Sequence, residues 1–545
     1  MSRAAVDSAA GPGRGAGPAP GHGPLEGVER TLGAIGLSLA TFMNVLDSSI
    51  ANVSIPAIAG DLGVSPSQGT WVITSYGVAN AISLPLTGWL ARRFGQVRLF
   101  IASVLLFVLA SWLCGLAGSL QWLLACRVLQ GAVAGPMIPL SQTLLLGSYP
   151  PERAGAALSL SSITVLVAPM VGPLLGGWVT DTLSWPWIFY INIPVGLLAV
   201  GLSWWVYRGR ESPSARVPLD AFGLALLVVW VGAVQIVLDT GKEADWFASP
   251  FIVACSIIAA VGLVVFVVWE LTAEHPVVDL TLFGRRSFWV GTLAIAVGYG
   301  TFFGNVVLLP LWLQQQLGYT ATWAGLILAP VGLVAILLTP WVGRRIDRGD
   351  PRWLATVSFV TFALVFWARA QFDMHTDVWH LVLPTFLQGV AAAFFFIPLV
   401  SIVVSGLPPD RLPAAFGLSN FLRISAGAFG VSIATTAWED GAAVHHARLV
   451  ESVTPDNPAW GDTLTVLEAT GLSREQALAV VARQVDLQAF TLSVNEVFMV
   501  SAVLSLALAA IVWVARPVRR PAPASVAGRG EPNRAQPARG QPARS

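Results

Sequence analysis

The chain has 545 residues, of which 55% are hydrophobic and 11% charged, and its mean hydropathy is +0.69. Soluble domains carry about 25% charged residues, so this chain cannot furnish an ordinary polar surface and reads as an all-α polytopic membrane protein. A net charge of +1, with no basic stripe outside the turns, argues against a nucleic-acid binder. The three cysteines, Cys114, Cys126 and Cys255, lie in apolar stretches with no CxxC spacing, so neither a disulfide framework nor a cysteine metal site is expected.

Residues 1–29 are rich in Gly, Pro and Ala and are expected to form a disordered cytoplasmic tail, as are residues 521–545. Between them, stretches of about 20 apolar residues predict fourteen spans. Six lie in 31–207, at 31–56, 70–90, 98–118, 121–147, 155–180 and 187–207. Two follow in 219–271, at 219–239 and 250–271. Six more fill 287–515, at 287–314, 321–342, 353–371, 378–405, 412–438 and 491–515. The turns at one end collect Arg92, Arg93, Arg98, Arg153, Arg208, Arg285, Arg286, Arg344, Arg345 and Arg411, whereas those at the other hold the single lysine, Lys242, among acids. The positive-inside rule then places both termini in the cytoplasm. An outer loop at 439–490 contains SREQALAVVARQVDLQAF, where Ser473 and Gln476 have capping-box spacing, predicting a short amphipathic surface helix.

The chain repeats itself. LQGAVAGPMIPLSQTLLLGSYPPER at 129–153 matches LQGVAAAFFFIPLVSIVVSGLPPDR at 387–411, pairing Gln130 with Gln388 and Arg153 with Arg411. GWLARRFG, from Gly88, has a counterpart in GRRIDRGD, from Gly343. Two parallel six-helix copies with two helices inserted between them are therefore expected. That is the arrangement of major facilitator transporters, whose substrate sites lie near the midplane between the halves.

Where the copies differ, function is the better explanation. Arg127 falls opposite Thr385, and Asp47 opposite the Phe302–Asn305 neighbourhood, which has no acid. An aspartate in mid-membrane costs about 2.5–3.5 kcal/mol on insertion scales and marks a functional site by default. Asp47 is the leading proton carrier; a buried acid satisfied by Asn44, Ser48 or Ser49 is the plainer alternative. Arg127 does not deprotonate and needs acceptors, and Gln130 shares its helix face. Glu496 and Arg423 are candidates for a secondary charge site, while Asp239 and Glu270 are expected to be solvated at span ends. Gly172, Gly176 and Gly177 allow a close helix approach, and Pro169 and Pro173 favour a kink. Substrate contacts are expected from Asn44, Tyr76, Asn80, Gln130, Gln142, Asn305 and Phe395 in apolar walls. The adjacent His445 and His446 make a poor metal site, and no metal is expected.

Several segments carry a family resemblance: LDSSIANVSIPAIAGDLG (46–63), GWLARRFGQVRLF (88–100), RVLQG (127–131), GPLLGG (172–177), WPWIFYINIPVG (185–196), YTATWAG (319–325) and VSGLPPDR (404–411). The chain resembles the fourteen-helix drug:proton antiporters of the major facilitator superfamily, the EmrB/QacA type, and within it the EmrB branch. The resemblance implies an inner gate at Gly88, Arg93 and Gly95. That loop carries Arg92 where the superfamily usually has an acid, and Asp347–Arg348 would supply the gate charge pair in the second copy. It ties the Pro169–Gly177 segment to antiport and assigns proton coupling to Asp47 and Arg127, with Glu496 as a further candidate. It also implies export of hydrophobic or amphipathic toxic compounds, a bacterial inner-membrane location, a periplasmic adaptor of the EmrA type and an outer-membrane channel.

No P-loop appears, so the expected motor is the proton gradient and no cofactor. A potential of 100 mV supplies about 2.3 kcal/mol per proton, enough for roughly a 50-fold gradient. No HExxH or GxSxG motif suggests an enzyme. The alternatives are a dedicated exporter of one metabolite, such as a siderophore or antibiotic, and a non-transporting receptor on the same fold.

Overall fold

The computed structural model describes residues 23–516, apart from 243, 348, 375, 455 and 456. The tail at 521–545 lies outside the described residues. Among those described there are helices and no strand. The first six spans are built from α1 (Gly27–Asp61), α2 (Pro66–Phe94), α3 (Gln96–Gly115), α4 (Leu120–Ala134) with α5 (Met137–Ser148), α6 (Ala154–Thr182), and α7 (Trp187–Tyr190) with α8 (Asn192–Tyr207). The inserted pair is α9 (Ala221–Thr240) and α10 (Pro250–Thr272). The second copy comprises α11 (Arg286–Gln315), α12 (Ala321–Ile346), α13 (Pro351–Arg369), α14 (Val378–Ala393) with α15 (Phe396–Val403), α16 (Leu412–Val450), α17 (Pro458–Ala469) and α18 (Arg474–Ile511).

Each expected span coincides with helix, but the fourteen-span count is not established by apolarity. Eleven helical stretches are long and apolar enough to cross a membrane, or twelve if the bent α6 is counted. The remaining two, α2 and α16, lean on each other across the two copies. Their polar side chains, such as Thr87 and Asn420, are buried in protein and not in lipid, so a hydropathy test undercounts them.

Local chemistry fixes the starts of many helices. Ser65 and Gln68 form a capping box at α2, Asp220 caps α9, Thr320 caps α12, and Asp350 and Asp377 cap α13 and α14. The internal repeat is visible as a shared break. The spans expected at 121–147 and 378–405 each split, at Gly135–Pro136 and at Phe394–Phe395. Pro136 lacks an N–H, so Ala132 O has no helical partner and takes the Ser83 hydroxyl instead. In the second copy Ser358 Oγ donates to Ala391 O at 2.8 Å.

Three expectations are corrected. The N-terminal tail is not disordered up to residue 29: α1 starts at Gly27, Leu25 is buried, and its N–H donates to Ser148 O at 3.0 Å. Residues 1–22 lie outside the described part. The capping box at Ser473 and Gln476 forms, but it opens the 38-residue α18, not a short surface helix. The amphipathic stretch and the last span are one rod, because no Gly or Pro interrupts residues 474–511. At its near end α16 likewise runs on to Val450, so the outer loop at 439–490 is mostly helical. Glu270 is buried rather than solvated, and accepts the Val278 N–H at 3.1 Å.

The two copies form two lobes. In the first, α1 packs on α5, α6 and α8, and α2 on α4; in the second, α11 packs on α16, α12 on α14, and α13 on α18. The inserted α9 lies against both α2 and α16, with the Trp230 ring edge-on to Phe421 at 5.9 Å. The close glycine contacts between lobes all fall near the arginine-bearing turns. Gly88 faces Ala414, Gly417 faces Leu84 O, and Gly155 lies against Gly343.

Candidate functional site

Asp47 lies just past the middle of α1 and is 2% exposed. Its Oδ2 accepts Arg127 Nη1 at 2.6 Å, with both side chains buried. Its Oδ1 accepts Gln130 Nε2 at 3.0 Å and Asn192 Nδ2 at 2.7 Å. Ser111 Oγ accepts from the same two amides, at 2.7 and 3.0 Å. Arg127 also donates to Val72 O at 3.0 Å and to Gln130 Oε1 at 2.7 Å. Its guanidinium lies 4.2 Å from the Tyr76 ring centroid and 5.6 Å from that of Phe189, a favourable cation–π arrangement in a dry site. Its Nη2 has no partner. Five spans, those of α1, α2, α3, α4 and α8, thus converge on one buried acid. The geometry suits a carboxylate whose protonation would cost it at least one charge-assisted bond.

The structure separates residues that were expected to act together. Asn44 does not face a substrate space: Nδ2 donates to Ala134 O at 2.9 Å at the α4 break, and Oδ1 accepts Tyr76 Oη at 2.7 Å. With Gln130, these two form the wall of the Asp47 site inside the first lobe, because the freed carbonyls and the ion pair use their polar atoms. Asn305 faces α18, donating to Ser501 Oγ at 2.9 Å. Phe395 is buried in an aromatic cluster with Phe359, Phe362 and Phe396. Asn80 is half-buried on α2. Glu496 is exposed near the outer loop with its Oε1 3.1 Å from His445 Nε2, so it does not join Asp47; His446 lies beside Asp486.

Only Gln142, of the expected substrate contacts, lines the narrow pocket between the lobes, a cavity of about 30 Å³. Its wall comes from α5 and α6 on one side and from α11, α15 and α16 on the other. Asn420 Nδ2 donates across it to Gln142 Oε1 at 2.8 Å.

The glycine segment brings α6 onto α1 at the level of Asp47. Ser49 Oγ donates to Pro169 O at 3.2 Å, Gly172 abuts Ser49, and Gly176 abuts Ile50 O. Gly177 faces open space and has no part in this contact. Segments Pro151–Pro169 and Leu174–Thr182 meet at 44°, the kink expected of Pro169 and Pro173. At the opposite end of α6, Gly155 N donates to Asp347 Oδ1 at 2.9 Å, so the second lobe's acid sits at the N-terminus of the first lobe's helix. Arg348, its expected partner, lies outside the described residues. Gly88 is at the lobe interface. Arg93 is exposed, and Gly95, with φ +87°, sits against Glu211.

A sequence model of the Major Facilitator Superfamily matches residues 37–431. The chain belongs to the Major Facilitator Superfamily. It is 51% identical over 494 residues to the multidrug export protein EmrB of Escherichia coli strain K12, covering 90% of this chain and 96% of that protein. It is 47% identical over 493 residues to the fatty acid resistance protein FarB of Neisseria gonorrhoeae, covering 90% and 97%. Those identities place this superfamily member in the EmrB branch. The proton:xylose symporter XylE superimposes with a TM-score of 0.54 at 14% identity, over 89% of this chain and 95% of that one, which shows the shared fold.

Some site residues escaped the sequence reading. Ser111 and Asn192 complete the Asp47 shell, and Glu211 accepts the Val97 and Arg98 N–H groups at 3.0 and 2.8 Å beside the loop motif. Asn192, a polar residue within an apolar span like Asp47, carried a signal that could have found it.

Proposed function

We propose that the chain is a proton-driven antiporter of the bacterial inner membrane, with both termini cytoplasmic, that exports hydrophobic and amphipathic toxic compounds by alternating access. The buried Asp47–Arg127 pair carries this reading, supported by the identity to a protein named for multidrug export. A proton added at Asp47 Oδ2 displaces Arg127 Nη1. The guanidinium keeps Val72 O and Gln130 Oε1 but loses its counter-ion, so the hold of α4 on α1 is weakened, with the Gln130 and Asn192 amides still on Oδ1. Because α1 bears on Gly172 beside the kink of α6, and α6 starts on Asp347 of the other lobe, a shift of α1 reaches the lobe interface along α6. Contacts at the arginine-bearing end correspond to a state closed to the cytoplasm. The partners of such a pump are a periplasmic adaptor and an outer-membrane channel, and it takes its energy from the proton gradient without a cofactor.

The test is transport in energised vesicles across a compound panel, with Asp47→Asn alongside. The variant is expected to lose substrate-dependent proton release and export driven by a pH gradient. Export by Asp47→Asn with unchanged pH dependence would overturn the assignment.

A further inference from the structure

The second lobe repeats the Asp47 site with an amide where the acid stands. The register that pairs Gln130 with Gln388 sets Asn305 opposite Asp47 and Arg369 opposite Ser111. In the first lobe Gln130 Nε2 donates to Asp47 Oδ1 at 3.0 Å, and Arg127 Nη1 donates to Oδ2 at 2.6 Å. In the second, Arg369 and Gln388 are both 0% exposed, and Arg369 Nη2 donates to Gln388 Oε1 at 2.6 Å. The Gln388 Nε2 donor, which matches the one that Gln130 gives to Asp47, has no partner among the described residues. Arg369 Nε and Nη1 have none either, and among the described residues no carboxylate lies in ion-pair range of that guanidinium. Asn305 does not replace Asp47. It is uncharged, and its Nδ2 is taken by Thr301 O and Ser501 Oγ, at 2.7 and 2.9 Å.

A buried cation without a counter-ion is costly to keep, and so is each buried N–H without an acceptor. One anion answers both costs. We propose that the second lobe binds a single monovalent inorganic anion, chloride, on the free N–H groups of Arg369 and Gln388, in the role that the Asp47 carboxylate has in the first lobe. One negative charge balances one guanidinium. A spherical ion has no preferred acceptor direction, so it can take N–H groups from a guanidinium and from a separate amide together. The surroundings strengthen the attraction, because a low dielectric screens it little. The Phe498 ring centroid lies 6.0 Å from the guanidinium carbon, Phe372 meets Phe498 edge-on at 6.3 Å, and Trp312 stacks on Phe372 at 5.8 Å. The ion would join α13 to α14 inside the second lobe. Neither Arg369 nor Gln388 lines the interlobe pocket, and neither touches the proton-coupling pair.

The test is thermal unfolding of the full-length protein in lipid nanodiscs, with sodium chloride titrated against sodium gluconate at constant ionic strength. The melting temperature of wild type is expected to rise with chloride and to saturate, as a ligand of the folded state requires. Gln388→Glu supplies a tethered carboxylate to Arg369, and should raise the chloride midpoint at least roughly tenfold or abolish the response, the size of a hydrogen bond to a charged group. Arg369→Met removes the cation and with it the need for the ion, and its melting should be flat in chloride. Arg423→Gln, on the wall of the interlobe pocket, should respond as wild type does. A wild-type melting temperature indifferent to chloride overturns the proposal whether or not any variant folds. A rise that never saturates marks an adventitious ion only and overturns it too. So does a full response in Gln388→Glu or Arg369→Met, or its loss in Arg423→Gln, which would put the ion between the lobes.

Discussion

Each lobe buries an arginine against the glutamine that the repeat places in register, but the two sites differ in charge. In the first lobe Gln130 Oε1 accepts Arg127 at 2.7 Å, and Asp47 neutralises the cation. In the second, Gln388 Oε1 accepts Arg369 Nη2 at 2.6 Å, and Arg369 comes from the neighbouring α13 rather than from the same helix. Arg369 is fully buried. Its Nε and Nη1 and the Gln388 Nε2 have no partner, and no carboxylate lies within ion-pair range among the described residues. The repeat therefore preserves a glutamine that holds a cation, and among the described residues only the first copy adds a carboxylate to it. The first lobe's cation is neutralised by a carboxylate; the second's is held by a neutral amide.

The largest test of this contrast removes one charge from each site. Asp47→Leu leaves Arg127 buried and unpaired, and should cost about 3–5 kcal/mol. Arg369→Met removes a cation that has no counter-charge, and should cost less than about 1 kcal/mol or stabilise the fold. Thermal unfolding of the two variants in detergent decides the matter, and equal losses would break the comparison.

The same glutamine-to-glutamate change should act with opposite sign in the two lobes. Gln388→Glu gives Arg369 a counter-ion and is expected to stabilise by about 1.5–3 kcal/mol, as for a hydrogen bond to a charged group. Gln130→Glu sets a second carboxylate beside Asp47 and removes the amide donor to it. That variant should be destabilised and should shift the pH dependence of transport, read from melting curves and from vesicle pH profiles.

The smallest effect sharpens the contact between α1 and α6 beside Asp47. A Cβ at Gly172 would lie 2.5 Å from Ser49 Cβ, whereas one at Gly177 meets nothing within 4 Å. Gly172→Ala should cost about 1–3 kcal/mol through overpacking and impair export. Gly177→Ala should stay within about 0.5 kcal/mol of wild type and export normally.

Much of this was legible in the residues because membrane helices obey local rules. Apolar length placed a helix at every expected position, although among the described residues only eleven or twelve are long and apolar enough to cross a membrane, paired turns gave the arginine-bearing end, and self-similarity around Gln130 and Gln388 gave two parallel lobes. Asp47 and Arg127 stood out because charge in an apolar span is costly, and they do meet. Asn44, Tyr76 and Gln130 were assigned to substrate because they are polar in apolar helices. Polarity alone cannot say which face of a helix looks into a lobe and which looks between lobes.

Sequence by itself determined the membrane class, the helix positions, the doubled architecture and the identity of the acid and arginine, since each follows from composition or spacing along the chain. Only the tertiary structure decided that Asp47 is enclosed by Ser111 and Asn192, that Glu496 stands apart beside His445, and that Arg423 lines the interlobe cavity with no carboxylate in ion-pair range among the described residues. Those facts depend on rotation about helix axes and on contacts between residues far apart in the chain, which packing fixes and local spacing does not.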